Sequence, residues 1–410
     1  MAFGGCESVS TCCVLGLGYI GLPTAAVLAR SGHRVVGVDV SSKVVAIVNQ
    51  GQIHILEPDL DQAVAAAVAS GALMAQLTPA AADVFLIAVP TPFRGGAHGI
   101  PQPNIDYVLA AARAIATVLR PGNLVLIEST SPVGTTEKVA DELRKISGFN
   151  SDQIHIAYCP ERVLPGRILQ ELIANDRVIG GLTPAAAEAG QAFYASFCQG
   201  QLITTNSRTA ELVKLTENSF RDVNIAFANE LSLVCDHLEI NPRELIRLAN
   251  HHPRVNVLQP GCGVGGHCIA IDPWFIASAA PHCTPLIQTS RHVNDGKSRW
   301  VIEQVQARAA ALEDQLGRTA RIGCLGLAFK PNVDDLRESP ALHITTELLV
   351  AGLDVLACEP NLHDHPIIKL DTLKRVLEDA DLLVFLVAHT AFKGLDLDGR
   401  SVFDLCGVTK

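Results

Sequence analysis

A chain of 410 residues, 48% of them hydrophobic, is too long for one core and calls for two or three domains. Its formal net charge of −10 argues against nucleic acid or an anionic membrane as the general partner, so an anionic ligand would need arginine and lysine gathered locally. The 12 cysteines form no C-x-x-C pair and no metal-spaced His/Cys cluster, and no signal peptide or bilayer-length apolar run is read in the chain, so the expectation is a cytoplasmic protein with reduced thiols and no metal.

The first element is Cys12-Cys13-Val14-Leu15, apolar and short as a buried parallel strand should be. Gly16-Leu17-Gly18-Tyr19-Ile20-Gly21 follows, then a helical stretch over 22–29 with Pro23 in its first turn. A second strand, 35–38, ends at Asp39. In a chain with 32 glycines a G-x-G-x-x-G match alone is weak. Strand, turn, helix, strand and acid in register make it a dinucleotide-binding unit. Gly16, Gly18 and Gly21 let the backbone approach a pyrophosphate at the helix N-terminus. Asp39 lies about twenty residues on, where a ribose hydroxyl is gripped, and an acid there favours NAD over NADP.

Further strands are predicted at 84–89, 124–127 and 178–181. The first two run into Pro90-Thr91-Pro92 and Glu128-Ser129-Thr130. Ligands of open α/β sheets bind at the carboxyl ends of strands, so Thr91 and Thr130 could bond cofactor or water. Turn and capping chemistry accounts for them equally well. A long helix is predicted from near Ser207 to about Glu239. On it Lys214, Asn218 and Arg221 fall at i, i+4 and i+7 and share a face, which reads either as a solvated surface or as a reactive one. Ile225, Phe227, Leu231 and Val234 exceed what one facing partner needs, and the expectation is a homodimer through this helix.

From Arg321 the α/β alternation returns. Arg321-Ile322-Gly323-Cys324-Leu325-Gly326-Leu327 echoes the first strand and turn, and 380–390 echoes 82–91. The expected fold is α/β, with two Rossmann-like doubly wound domains joined by a helical central domain. The boundaries expected are 1–206, 207–300 and 301–410. Two such sheets suggest two nucleotide-like ligands, the alternative being a duplicated scaffold with one empty site.

Between the helical region and the second sheet lies Gly261-Cys262-Gly263-Val264-Gly265-Gly266-His267-Cys268-Ile269-Ala270-Ile271-Asp272-Pro273. It sets Cys268 after a glycine run and Asp272 four residues further on. A thiol beside a nicotinamide cofactor has a specific meaning. It can trap an aldehyde as a thiohemiacetal, itself a hydride donor, so one site can take an alcohol to an acid.

Taken together, blocks 14–23, 88–93, 128–136, 157–166, 214–232, 252–273 and 326–340 resemble the nucleotide-sugar 6-dehydrogenases of the UDP-glucose/UDP-mannose dehydrogenase family, over nearly the whole chain. The resemblance implies NAD as cofactor and a four-electron oxidation at C6 of the sugar, feeding surface polysaccharide synthesis. Cys159-Pro160-Glu161-Arg162 resembles the N-acetylhexosamine members, where glucose enzymes carry Pro-Glu-Phe-Leu, and 217–230 resembles the N-acetylmannosamine subgroup. UDP-N-acetyl-D-mannosamine is thus the implied substrate, bound between the first and third domains. The alternatives are the UDP-N-acetylglucosamine or UDP-glucose enzyme, an alcohol dehydrogenase that stops at the aldehyde, and an NAD sensor without chemistry.

The same resemblance implies roles. Cys268 is the nucleophile, Lys214 the acid/base group that holds the oxyanion, and Asn218 its partner. Asp272 orients the thiol region or assists water, and Glu161 activates water. Tyr19, Ile20, Asp39, Thr91, Thr130 and Arg337 contact NAD. Arg162, Val163, Lys214, Asn218, Arg221, His252, Arg254, Gly265, Lys330 and Pro331 contact the UDP-sugar. Cys262 departs from the family's usual proline, which raises the expectation of an inactivating Cys262–Cys268 disulfide.

Overall fold

A computed structural model describes residues 9–94, 100–266 and 268–409. The chain divides into two compact units, residues 1–216 and 217–410. The first is built on eight strands: β1 Thr11–Leu15, β2 Arg34–Val38, β3 Leu73–Gln76, β4 Val84–Ile87, β5 Leu124–Ile127, β6 His155–Tyr158, β7 Arg177–Gly181 and β8 Leu202–Asn206. Their order is β8-β7-β6-β5-β4-β1-β2-β3. The 3-2-1-4-5-6 run within it is the dinucleotide-fold order. All pairs are parallel except β6 with β7.

The apolar strand sequences follow from burial on both faces. Cys12 and Val14 belong to one core and Cys13 and Leu15 to the other, and Leu86 and Ile87 of β4 divide in the same way. The register Leu15↔Val38 and Leu15↔Ile87 brings Gly16, Asp39 and Ala88 to one sheet edge. The predicted helix after the fingerprint is Gly21–Arg30.

The second unit carries a smaller parallel sheet: β9 Arg321–Leu325, β10 Asp354–Cys358, β11 Leu382–Phe385 and β12 Ser401–Asp404, in the order β10-β9-β11-β12. The long helix is Ser207–His237, and a second, Pro285–Leu316, runs without a break through residue 300 until Gly317, φ 66°, ends it. A buried polar network ties them together. Arg291 and Asn294 donate to Asp222 at 2.7 and 2.8 Å, and Asn229 donates to Asn294 at 2.9 Å. Asn229 also accepts from the Gly261 N–H at 2.9 Å, so the network reaches the start of the cysteine loop.

Among the described residues no helix is long and apolar enough to cross a membrane.

Candidate active site

The cofactor end of the first sheet is assembled from backbone. Gly16 sits at φ 88°, and a Cβ there would lie 2.6 Å from the Ala88 carbonyl oxygen, so only glycine fits. Gly18 is different. A Cβ on it would meet nothing of the protein within 4 Å, and its bareness leaves room for a ligand. Asp39 accepts from Leu17 N at 3.0 Å and Ser41 N at 2.9 Å, which fixes the carboxylate beside the glycine turn. Beside it opens a largely apolar cavity of about 460 Å³ lined by Leu15, Gly16, Asp39, Val89, Pro90 and Tyr107. A flat heterocycle fits this slot, a ribose the acid, and a pyrophosphate the helix start, whose first turn holds no acidic residue. Tyr19 is exposed and Ile20 caps that helix.

Thr91 is buried, and its hydroxyl donates to the Thr130 carbonyl at 2.7 Å. It stitches two strand ends together, so turn chemistry is one role it plays.

The block around Glu161 is held from several sides. Glu57 accepts from Gly166 N at 2.8 Å and Ile168 N at 2.7 Å. Asn175 donates to the Arg162 carbonyl and Arg162 to the Asp176 carbonyl. Arg162 and Val163 are half-buried. Glu161 itself is buried, 3.2 Å from Arg177. Its Oε2 is buried with no hydrogen-bond partner among the described residues. Nearby, Tyr194 donates to Glu128 at 2.8 Å. Burial, and then the facing Glu161, push Glu128 up to about 7. Arg177, Tyr194 and Glu128 were not legible as site residues, since no local motif marks a residue buried by distant segments.

The helix face proposed for Lys214, Asn218 and Arg221 divides. Lys214 and Asn218 are buried and Arg221 is exposed. The solvated reading therefore fails for the first two, because packing covers them, and holds for the third.

In the second unit, Cys268 is exposed, and its carbonyl accepts from Ile271 N and Asp272 N as the chain turns into the helix Asp272–Ala279. Asp272 is buried and accepts from Asn218 Nδ2 at 2.5 Å. The glycines before Cys268 do more than loosen the loop. A Cβ on Gly265 would lie 2.5 Å from the Glu338 carbonyl oxygen, and one on Gly266 2.7 Å from the Phe329 ring. The loop packs flat on the 329–340 segment, and Gly266 N donates to the Arg337 carbonyl at 3.0 Å. Arg337 pairs with Asp335. Lys330 is half-buried, while Pro331, His252 and Arg254 are exposed. The turn after Lys330 is pinned by His389, which accepts from Asn332 N at 3.0 Å and bonds Glu359 at 3.1 Å.

Cys262 weighs against the disulfide expectation. It is buried, its thiol donates to the Leu386 carbonyl, and burial pushes it up to about 12. Burial keeps this sulfur a thiol, so it is a poor attacking partner in exchange.

Against known proteins, the family models of the UDP-glucose/GDP-mannose dehydrogenases match in three consecutive parts: the NAD binding domain at residues 10–198, the central domain at 208–296 and the UDP binding domain at 323–410. The chain belongs to the UDP-glucose/GDP-mannose dehydrogenase family. It is an NAD-dependent oxidoreductase, and the cradle at Gly18 and Asp39 fits that cofactor. The chain is 52% identical to the UDP-N-acetyl-D-mannosamine dehydrogenase of Campylobacter jejuni, over 96% of this chain and 98% of the relative. It is 51% identical to the NDP-N-acetyl-D-galactosaminuronic acid dehydrogenase of Ralstonia nicotianae, over 97% and 96%. The structure is similar to that of the UDP-N-acetyl-mannosamine dehydrogenase of S. aureus, with TM-score 0.89 and 40% identity over 98% of this chain and 96% of that one.

Proposed function

We propose that this protein oxidises UDP-N-acetyl-D-mannosamine at C6 to the uronate, in the cytoplasm, for surface polysaccharide synthesis. The observation that carries the chemistry is an exposed Cys268 held at a helix start whose Asp272 is buried against Asn218. What favours the acetamido sugar is the Pro160-Glu161-Arg162 block, together with the names of relatives at 51–52% identity.

Gly16, Gly18, Gly21 and Asp39 would hold NAD, with Tyr19, Ile20, Thr91, Thr130 and Arg337 around it. Bound there, NAD supplies a hydride acceptor, used twice per sugar. Lys214, directly or through a water, takes the C6 hydroxyl proton and holds the developing oxyanion. Cys268 adds to the aldehyde carbon: the sulfur–carbon bond forms as the carbonyl π bond opens, and the oxygen takes up the proton that the thiol gives up, leaving a thiohemiacetal. After the second oxidation a thioester links sugar and enzyme. Water attacks its carbonyl, the carbon–sulfur bond breaks, and the uronate leaves with the thiol restored. The open Oε2 favours Glu161 for that water, and the Asn218–Asp272 pair for orienting the thiol loop. Arg162, Val163, Arg221, His252, Arg254, Gly265, Lys330 and Pro331 are assigned to the UDP-sugar. Domain edges at 206/207 and 300/301 complete the proposal.

A substrate panel with NADH counted per sugar consumed tests this reading. UDP-N-acetyl-D-mannosamine should give two NADH and the highest kcat/KM. UDP-glucose should fall lower by about two orders of magnitude, because a site built to hydrogen-bond a polar substituent discriminates strongly against its absence. One NADH with free aldehyde as end product would end the four-electron reading, and equal efficiencies would end the specificity claim. A best rate with the N-acetylgalactosamine nucleotide would move the assignment to the chemistry named for the Ralstonia relative.

We also infer a homodimer. Phe220, Phe227 and Val234, spaced by seven on the long helix, are 69%, 53% and 47% exposed. An apolar stripe of this kind calls for a partner. Light scattering should give twice 43.6 kDa. A single-chain mass at working concentration would refute the dimer and leave the chemistry standing.

A further inference from the structure

We propose that Arg177 is a positioning residue for Glu161, fixing the carboxyl group that handles water in thioester hydrolysis; the proposal rests on the assignment of that role to Glu161. Arg177 opens β7, and its side chain is nearly as deeply buried as any in the unit. Nη1 lies 3.2 Å from Glu161 Oε1. Nη2 donates to the Leu172 carbonyl at 3.0 Å, and Nη1 also approaches Cys159 Sγ at 3.8 Å. The guanidinium stacks over Tyr194, 4.6 Å from its centroid, and lies 5.5 Å from that of Phe197. A planar cation held on two edges and one face has a fixed orientation. Tyr194 is itself fixed, since its hydroxyl donates to Glu128.

The consequence falls on Glu161. One oxygen is pinned by the guanidinium and the other, Oε2, is buried and without a partner. A buried acceptor left open is costly, so native structures keep one where a water or ligand fills it. Sixteen residues separate Glu161 from Arg177 in sequence, and the antiparallel step from β6 to β7 brings them together. Among the described residues no other hydrogen bond or ion pair holds the Glu161 carboxyl. Its aim at the reacting water is therefore set by Arg177, which touches neither sugar nor cofactor in this scheme.

The experiment is rapid mixing of the full-length enzyme with NAD and UDP-N-acetyl-D-mannosamine. Glu161→Gln should retain a burst of two NADH per site and show a slower steady state, since oxidation precedes hydrolysis. Arg177→Lys keeps the charge and loses the planar fork. It should show the same pattern, with the burst kept and the steady state slowed by about 10- to 100-fold, the cost of a misaimed group. In the Glu161→Gln background Arg177→Lys should add less than about twofold, as expected of residues acting as one unit. Should Arg177→Lys fail to fold, the double variant Arg177→Met/Glu161→Gln removes both partners and leaves no unpaired buried charge. It should match Glu161→Gln alone. A burst that shrinks in proportion to the steady state, or losses that add in the double variant, would reduce Arg177 to a packing role. A wild-type steady state in Glu161→Gln would instead overturn the role of Glu161 itself.

Discussion

Cys268→Ser is expected to lower steady-state NADH formation by about three orders of magnitude or more, with the KM for UDP-N-acetyl-D-mannosamine nearly unchanged. The reason is chemical. A thiol near neutral pH is a few per cent thiolate and intrinsically a strong nucleophile, whereas a serine hydroxyl without a dedicated base is neither. Any ester that did form would be a poorer acyl donor to water than the thioester. The first oxidation needs no covalent bond, so rapid mixing should still show NADH from the alcohol-to-aldehyde step. The substitution should leave the fold intact. Cys268 is exposed, and its backbone carbonyl accepts from Ile271 N and Asp272 N, bonds that serine keeps. Steady-state rates within tenfold of wild type would remove Cys268 as the nucleophile.

Much of this site was legible in the sequence because its parts are local. The strand–glycine–helix–strand run over 11–39 is read from adjacent residues, and strands buried on both faces announce themselves as unbroken apolar stretches. The thiol loop was equally local. What the sequence hid depends on burial and on distant contacts. Lys214 and Asn218 look like any cation and amide on a helix face until packing covers them. Glu128, Glu161 and Arg177 come from three strand ends, and no spacing rule links them.

Glu359 shows the limit of an internal echo. It follows β10 as Asp39 follows β2, yet its carboxylate accepts from Leu327 N, Ala328 N and His389. Burial alone would raise its pKa, but these bonds hold it down at about 2. Those three bonds all fall on Oε2, and Oε1 accepts from Asn361 N and Nδ2, whereas each oxygen of Asp39 takes a single backbone donor. Glu359 is therefore filled as a brace for the glycine turn at Gly326, and Asp39 keeps lone pairs for a ligand. The second sheet repeats the scaffold and reassigns the acid. Cys262 carries the same lesson, because proximity in sequence to Cys268 suggested a redox pair, whereas the direction of its thiol, toward Leu386, weighs against one.

Lys214→Ala is expected to lower kcat by about 10²- to 10⁴-fold, the range for losing a positioned acid/base group. Lys214 lies one helical turn before Asn218, whose amide donates to the buried Asp272. It is 9% exposed, and a lysine covered to that degree is uncommon unless its charge or proton is used. Two variants separate those uses. Lys214→Arg keeps a cation and can still hold an oxyanion, but it cannot exchange a proton at working pH. If the lysine mainly stabilises charge, arginine should recover at least about tenfold over alanine, since one oxyanion donor is worth about 10²–10³. If it mainly moves the proton, arginine should be as slow as alanine, and small primary amines added to Lys214→Ala should restore part of the rate. Cofactor KM should stay near wild type in all three proteins, because the NAD site proposed above rests on residues 16–21 and Asp39. A kcat within tenfold of wild type in Lys214→Ala would exclude the residue from the chemistry and leave proton removal to an ordered water.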